Sequence, residues 1–221
     1  MKNKLPLIII SVVAITAGVF ASAMFSDSDT GAPADDTYAL ASLQESLKTS
    51  IALPLDFKTV PDFQLLDANA QSIDQTVFDD KWSIVFFGYT HCPDVCPITL
   101  QIMKNVTSKI AAKNGELPQI VFVSVDPVRD TSEVMKNYIN FFNEEFVGIT
   151  GELKDVHAMT SSLGIVASFT ANKDDPDNYL VDHTASLLLI DPERRLRAKI
   201  SPPHVAETIV DDYLLMTNPS T

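Results

Sequence analysis

Seven residues, Trp82-Ser83-Ile84-Val85-Phe86-Phe87-Gly88, run almost without a polar side chain straight into Tyr89-Thr90-His91-Cys92-Pro93-Asp94-Val95-Cys96-Pro97. A run so short and so apolar suits a strand buried on both faces, which requires a sheet covered from both sides by helices. Pro97 lacks a backbone N–H and fits only the first turn of a helix, so the segment reads as strand, short loop, helix. The only two cysteines of the chain sit in that loop. A secreted scaffold held by disulfides would show several spaced pairs, so this pair points to chemistry.

The rest of the domain repeats the same grammar. Asp62–Asp67 reads as a strand, turning through Ala68–Gln71 toward a second short extended piece. Leu100, Met103, Val106 and Ile110 recur at helical spacing, and Asn114-Gly115 stops that helix. Gln119–Val125 is a second buried strand, after which Asp130-Thr131 caps a helix with Val134, Tyr138, Phe141 and Phe142 as its apolar stripe. Leu153–Leu163 is a further helix stopped by Gly164, followed by an extended Ile165–Phe169 and an acidic loop over Thr170–Asn178. Ala185–Ile190 is a third core strand, and Asp191-Pro192-Glu193-Arg194 turns it into a hairpin with Leu196–Ile200. A last helix covers about His204–Leu215. Alternating strands and helices closed by a hairpin and a helix predict an α/β domain over 51–217, a thioredoxin-like central sheet flanked by helices. The functional loop is expected at the carboxyl end of the first central strand.

Ahead of the domain, Lys2 and Lys4 precede an uncharged run from Leu5 to Phe25. As a helix this run would span about 30 Å, enough for a bilayer core. Residues 1–25 therefore read as an N-terminal transmembrane anchor, with the lysines cytoplasmic and the rest of the chain exported. A cleaved signal peptide ending at Ala21-Ser22-Ala23 is the rival reading. The short lysine-bearing start fits a bacterial inner-membrane protein, single pass, with its C-terminal domain in the periplasm, better than an Arg-rich mitochondrial presequence. Residues 26–50 are expected as a flexible linker, opening with the small, acidic Ser26–Asp36, although Tyr38–Ser50 also reads as a short helix. A net charge of −13 repels phosphate backbones, so nucleic acid is not an expected partner.

Placing Pro97 near the start of a helix leaves Cys96 close to the N-cap, where unpaired N–H groups and the helix dipole favour a thiolate. Cys92 lies about one turn earlier, so both sulfurs can point to one side. Two soft thiolates converging on one point suit Cu(I), with a third ligand completing a trigonal site, whereas a structural zinc wants four closed ligands. Four histidines are available for that third place. His91 neighbours Cys92 and points elsewhere, His157 belongs to a surface helix, and His204 begins the last helix. His183 stands just before the buried strand Ala185–Ile190, beside the loop after Trp82–Gly88. From position alone it reads equally as a ligand and as a satisfied structural histidine.

The segments Gly88–Pro97, Val123-Ser124-Val125-Asp126-Pro127 and Asp182-His183 resemble the Sco/SenC family, thioredoxin-fold proteins that assist assembly of the binuclear copper centre of cytochrome c oxidase. The similarity runs from about Phe57 to Tyr213. It implies that Cys92 and Cys96 are thiolate ligands and His183 the imidazole ligand of a copper ion, Cu(I) or Cu(II). It implies too that the partner is the copper-centre subunit of the oxidase, with another periplasmic copper carrier or a thiol reductant upstream. Asp126 is the candidate for a supporting role, offering an oxygen to Cu(II) or orienting His183, against its plain reading as an Asp-Pro turn residue. The turn after Asp191-Pro192 departs from the family, carrying Glu193-Arg194-Arg195 where relatives tend to have a glycine.

A second function is compatible with the same cysteines. In a thiol–disulfide oxidoreductase acting on the oxidase subunit or another exported target, Cys92 would attack and Cys96 would resolve the mixed disulfide. Thioredoxin-type enzymes use two intervening residues and a proline before the third core strand. Three intervening residues and a Thr184 following His183 favour metal over exchange. Nothing in the motif singles out peroxide chemistry.

Overall fold

Residues 34–171 and 179–218 are described by a computed structural model. The expected anchor over 1–25, the linker residues up to 33 and positions 172–178 of the acidic loop lie outside them. The chain divides into two units, Met1–Tyr38 and Ala39–Thr221. Among the described residues, no helix is long and apolar enough to cross a membrane.

In chain order the elements are α1 (Ala34–Ser46), β1 (Ser50–Ala52), β2 (Gln64–Asp67), β3 (Ser72–Asp74), a short 3-10 turn (Gln75–Phe78), β4 (Ser83–Gly88), α2 (Val95–Ala112), β5 (Gln119–Ser124), α3 (Ser132–Phe142), β6 (Val147–Thr150), α4 (Leu153–Ser162), β7 (Ala167–Thr170), β8 (Leu180–His183), β9 (Leu187–Ile190), β10 (Leu196–Ile200) and α5 (Ala206–Thr217). Eight strands form one mixed sheet in the order β1-β10-β9-β4-β5-β6-β2-β3, while β7 and β8 pair separately. β4, β5 and β6 run parallel, joined by crossovers through α2 and α3, and the remaining neighbours are antiparallel. The expected α/β architecture, a central sheet flanked by helices, is therefore present.

Every residue of β4 is buried, as the apolar run requires. The Phe86 and Phe122 rings, one on β4 and one on β5, meet with centroids 5.5 Å apart. Burying side chains of this size contributes roughly 1.5–3 kcal/mol each. The register aligns Gly88 with Ser124, so the loops leaving β4 and β5 emerge side by side. β9 runs antiparallel to β4, with Val85 opposite Leu188. Whatever enters β9 must therefore lie beside whatever leaves β4.

The core face of α2 is the one read from spacing, with Leu100, Met103, Val106 and Ile110 buried. It closes on Asn114 (φ 54°), whose amide and that of Gly115 return to the carbonyls of Ala111 and Ile110. α4 ends in the same manner on Gly164 (φ 76°). The stripe of α3 is corrected: Met135, Ile139 and Phe142 are buried, whereas Phe141 is 81% exposed. Six apolar side chains spread around this helix, and periodicity alone cannot choose which edge of so wide an arc meets the sheet. At the start of α3, Thr131 is the capping residue, accepting from the Val134 amide at 3.3 Å.

The described part of the 26–50 segment is regular where a flexible linker was expected. Helix α1 starts and ends four residues before the short helix read over Tyr38–Ser50, and the buried Asp212 carboxylate of α5 accepts the amides of Lys48, Thr49 and Ser50 at 2.7, 2.9 and 2.8 Å. Strands β1, β6 and β8 were not anticipated. Each has three or four residues, too few to display a period.

Candidate metal centre

Helix α2 begins at Val95 with Asp94 as N-cap, two residues before the start inferred from Pro97. Proline is tolerated throughout a first turn, so it bounds the start without locating it. This small shift exchanges the roles of the two cysteines. Asp94 caps no amide with its side chain. The sulfur of Cys92 takes that place, accepting the Cys96 amide at 3.4 Å. Cys92 is partly exposed, and Cys96, the second residue of the helix, is fully buried.

The two thiols are correspondingly unlike. A hydrogen bond from the Cys96 thiol, opposed by partial burial and helped by the Asp94 and Cys96 amides, pulls the Cys92 thiol down to about 5. Sharing a hydrogen with Cys92, and burial, push the Cys96 thiol well above the ordinary thiol range. Cys92 is thus the thiolate, stabilised at the positive end of a helix, and Cys96 keeps its proton. The expectation that Cys96 is the favoured thiolate is corrected on this point.

His183 ends β8, and the antiparallel entry into β9 carries it to the cysteine loop. Its Nε2 lies 3.7 Å from Cys96 Sγ, across 87 residues of sequence. Its Nδ1 is 3.2 Å from the Thr184 carbonyl, which can only accept, so Nδ1 carries the proton and Nε2 presents a lone pair to the sulfur. The rings of Phe86 and Tyr89 stand edge to face against the imidazole, with centroids 6.3 and 6.1 Å away. Gly88 completes the pocket. A β-carbon there would lie 2.8 Å from Cys96 Sγ and from Phe122 Cε2, so only a bare α-carbon lets the sulfur sit against the end of β4.

The other histidines stand apart from this point. His91 is exposed and bonds Thr90 Oγ1 at 3.1 Å through Nδ1, and His157 is exposed on α4. His204 donates from Nε2 to the Ala185 carbonyl at 2.9 Å, and burial lowers its pKa.

Asp126 does emerge beside the cysteine loop, and it is completely buried. Both of its oxygens are occupied: Oδ1 accepts from Tyr179 O–H at 2.6 Å, and Oδ2 pairs with Arg129 Nε. Its side-chain partners are therefore Arg129 of its own loop and Tyr179 at the root of β8, and not the His183 imidazole. The carboxylate that holds the cysteine loop is Asp130, also completely buried. It accepts Thr90 O–H and Ser124 O–H at 2.6 Å each, and the Thr90 amide at 3.1 Å. Burial raises its pKa, against the pull of those donors. In the sequence Asp130 looks like half of a helix cap, which hides this role. Charged residues at 126, 129 and 130 in a loop leaving a buried strand were the available signal.

Among the described residues no three His, Cys, Asp or Glu side chains stand together as a formed metal-holding group. The donor set nevertheless fits a soft ion. Bonds of about 2.3 Å to sulfur and 2.0 Å to imidazole, opened to 120°, would separate two ligands by about 3.7 Å. Cys96 Sγ and His183 Nε2 already have that separation.

A family model described as SCO1/SenC matches residues 53–217. The human mitochondrial SCO2 homolog is 34% identical over 151 residues, covering 68% of this chain and 56% of that protein. Among solved structures, copper-bound ScoI of Arabidopsis thaliana superposes with a TM-score of 0.69 at 28% identity, covering 73% of this chain and 99% of that one. Copper-bound ScoI of Bradyrhizobium japonicum gives 0.60 at 32% identity, covering 70% and 97%.

Proposed function

The chain belongs to the SCO1/SenC family, and we propose that it is a membrane-anchored copper carrier that loads the binuclear copper centre of cytochrome c oxidase. In this reading Cys92, Cys96 and His183 hold the ion. The observation that carries it is the 3.7 Å approach of Cys96 Sγ to His183 Nε2, with the imidazole already in the tautomer a metal needs. Cys92 arrives as a thiolate and exchanges the bonds it accepts from the Cys96 thiol and the Asp94 and Cys96 amides for the metal. Cys96 gives up its proton as the ion binds, so uptake releases protons and weakens as pH falls. The resulting set, two thiolates and an imidazole, suits Cu(I). The lysine-flanked apolar run over 1–25 supports an inner-membrane anchor that holds the domain in the periplasm.

The test is transfer. Copper-loaded protein is mixed with the copper-free copper-centre subunit of the oxidase, the two are separated, and the metal in each is measured. Copper moving to the subunit is the expected result. Copper staying where it was while the subunit's disulfide becomes reduced would replace the carrier reading with the second one.

One observation favours that second reading, a thiol–disulfide oxidoreductase: a partly exposed, acidic Cys92 beside a buried, protonated Cys96. The Cys92 thiolate would attack a target disulfide, forming a mixed disulfide and expelling one target thiolate. Cys96, losing its proton, would then attack Cys92 Sγ and expel the second. Two electrons pass to the target, and an exported thiol reductant restores the pair.

A further inference from the structure

His183 rides on a two-stranded hairpin that is not part of the central sheet. Something other than sheet hydrogen bonding must therefore set where its imidazole stands relative to the cysteines. The hairpin is tied to the body at Tyr179, immediately before β8. Tyr179 O–H donates to Asp126 Oδ1 at 2.6 Å, and the Tyr179 carbonyl accepts from Arg129 Nη1 at 3.0 Å. The Arg129 guanidinium lies 3.6 Å from the centre of the Tyr179 ring while its Nε pairs with Asp126 Oδ2. The same guanidinium stands 5.6 Å from the Tyr89 ring, which also meets the His183 imidazole edge to face. The Tyr89 hydroxyl oxygen accepts the Val181 amide at 3.4 Å, two residues before His183.

Asp126 is fully buried and Arg129 is 12% exposed at its side chain. A buried ion pair is poor evidence of added stability, because desolvation offsets most of its Coulombic gain. Here the pair fixes geometry through directed contacts: Asp126 accepts from both Arg129 and Tyr179, and Arg129 donates to Asp126 and to the Tyr179 carbonyl. A planar guanidinium that stacks on one ring and faces another defines position in a way lysine cannot.

Resting on the reading of Cys92, Cys96 and His183 as the copper site, we propose that Asp126, Arg129 and Tyr179 form a latch that positions His183. Asp126 and Arg129 hold the root of β8, and Arg129 backs Tyr89 against the imidazole. Arg129 is a positioning residue and not a ligand.

Two variants disturb the packing least. Tyr179→Phe removes only the O–H and keeps the ring under Arg129, and Asp126→Asn combined with Arg129→Gln removes both charges together. Copper affinity is measured for the reduced protein against a competing chelator, in the parent and in a His183→Ala background. Amide exchange across β8 is measured in the metal-free protein. Both variants are expected to weaken copper about tenfold or more in the parent, as lost supporting contacts to a ligand typically do. In the His183→Ala background, where the two cysteines leave only weak binding, they should change that residual affinity no further, and the Val181 amide should exchange faster in both. Equal losses in the two backgrounds, or unchanged affinity beside an intact His183 dependence, would overturn the latch while leaving the copper site standing. If the parent itself binds no copper, the reading beneath it fails instead, and the exchange rates decide the latch: an unaltered Val181 amide in both variants overturns it.

Discussion

The sulfur of Cys96 occupies the space where a side chain on Gly88 would begin, 2.8 Å from the position of that β-carbon. Backbone φ is not the reason for a glycine here. Gly88 lies in a regular strand, and the demand is for room. Gly88→Ala must push the sulfur or the Phe122 ring aside, at a cost of about 1–3 kcal/mol for overpacking a closed core. Urea denaturation should show that loss, and copper affinity should fall with it because the displaced atom is a proposed ligand. Full affinity in a destabilised Gly88→Ala protein would separate the packing of Cys96 from its chemistry.

Alkylation of Cys92 by iodoacetamide should follow a titration centred near 5, far below the ordinary thiol value of about 8.5. The largest cause is the hydrogen bond from Cys96, so Cys96→Ala should move the midpoint upward. Because the folded value is depressed, the stability that ionised Cys92 contributes is complete above the unfolded thiol pKa and is lost as pH falls through about 5. A midpoint near 8 in the parent protein would contradict the capping geometry.

Asp130→Asn keeps the shape but replaces one acceptor oxygen with a donor facing Thr90 and Ser124. About 1–3 kcal/mol of stability should be lost, the range for leaving a buried polar group badly paired. Thermal and urea unfolding would measure it. A Thr90→Ala and Ser124→Ala pair, which removes the two hydroxyl donors and leaves the Thr90 amide, should make the Asn substitution milder.

At the start of the domain, Asp212→Ala would orphan the three amides of Lys48, Thr49 and Ser50. Roughly 2–3 kcal/mol of destabilisation is expected, since hydrogen bonds to charged groups are the stronger kind. Limited proteolysis should then cut between α1 and β1, where the parent resists.

Continuous apolar runs made β4, β5 and α2 readable, because burial on both faces or along one helix face leaves a pattern that local sequence cannot disguise. The cysteine motif was readable for a similar reason: Pro97 and the preceding strand confine it to a strand-to-helix turn. Which cysteine carries the charge was not, since a two-residue shift of the helix start transfers the capping position from Cys96 to Cys92. β8 escaped notice because four residues, Leu180-Val181-Asp182-His183, pair with β7 and not with the main sheet. Asp130 and Arg129 depend on side chains meeting across the loop after β5, and no spacing records such meetings. The turn Glu193-Arg194-Arg195 departs from relatives that tend to carry a glycine, and the φ of 65° at Arg194 shows the conformation that makes glycine common in such a turn.

The central claim is a three-ligand copper site, and its most direct test is titration of the reduced protein with Cu(I) against a competing chelator. Cys92→Ala, Cys96→Ala and His183→Ala are titrated in parallel. The account predicts one tightly held copper in the parent and its loss in all three variants. Weak binding in the parent, or binding unchanged by His183→Ala, would contradict it.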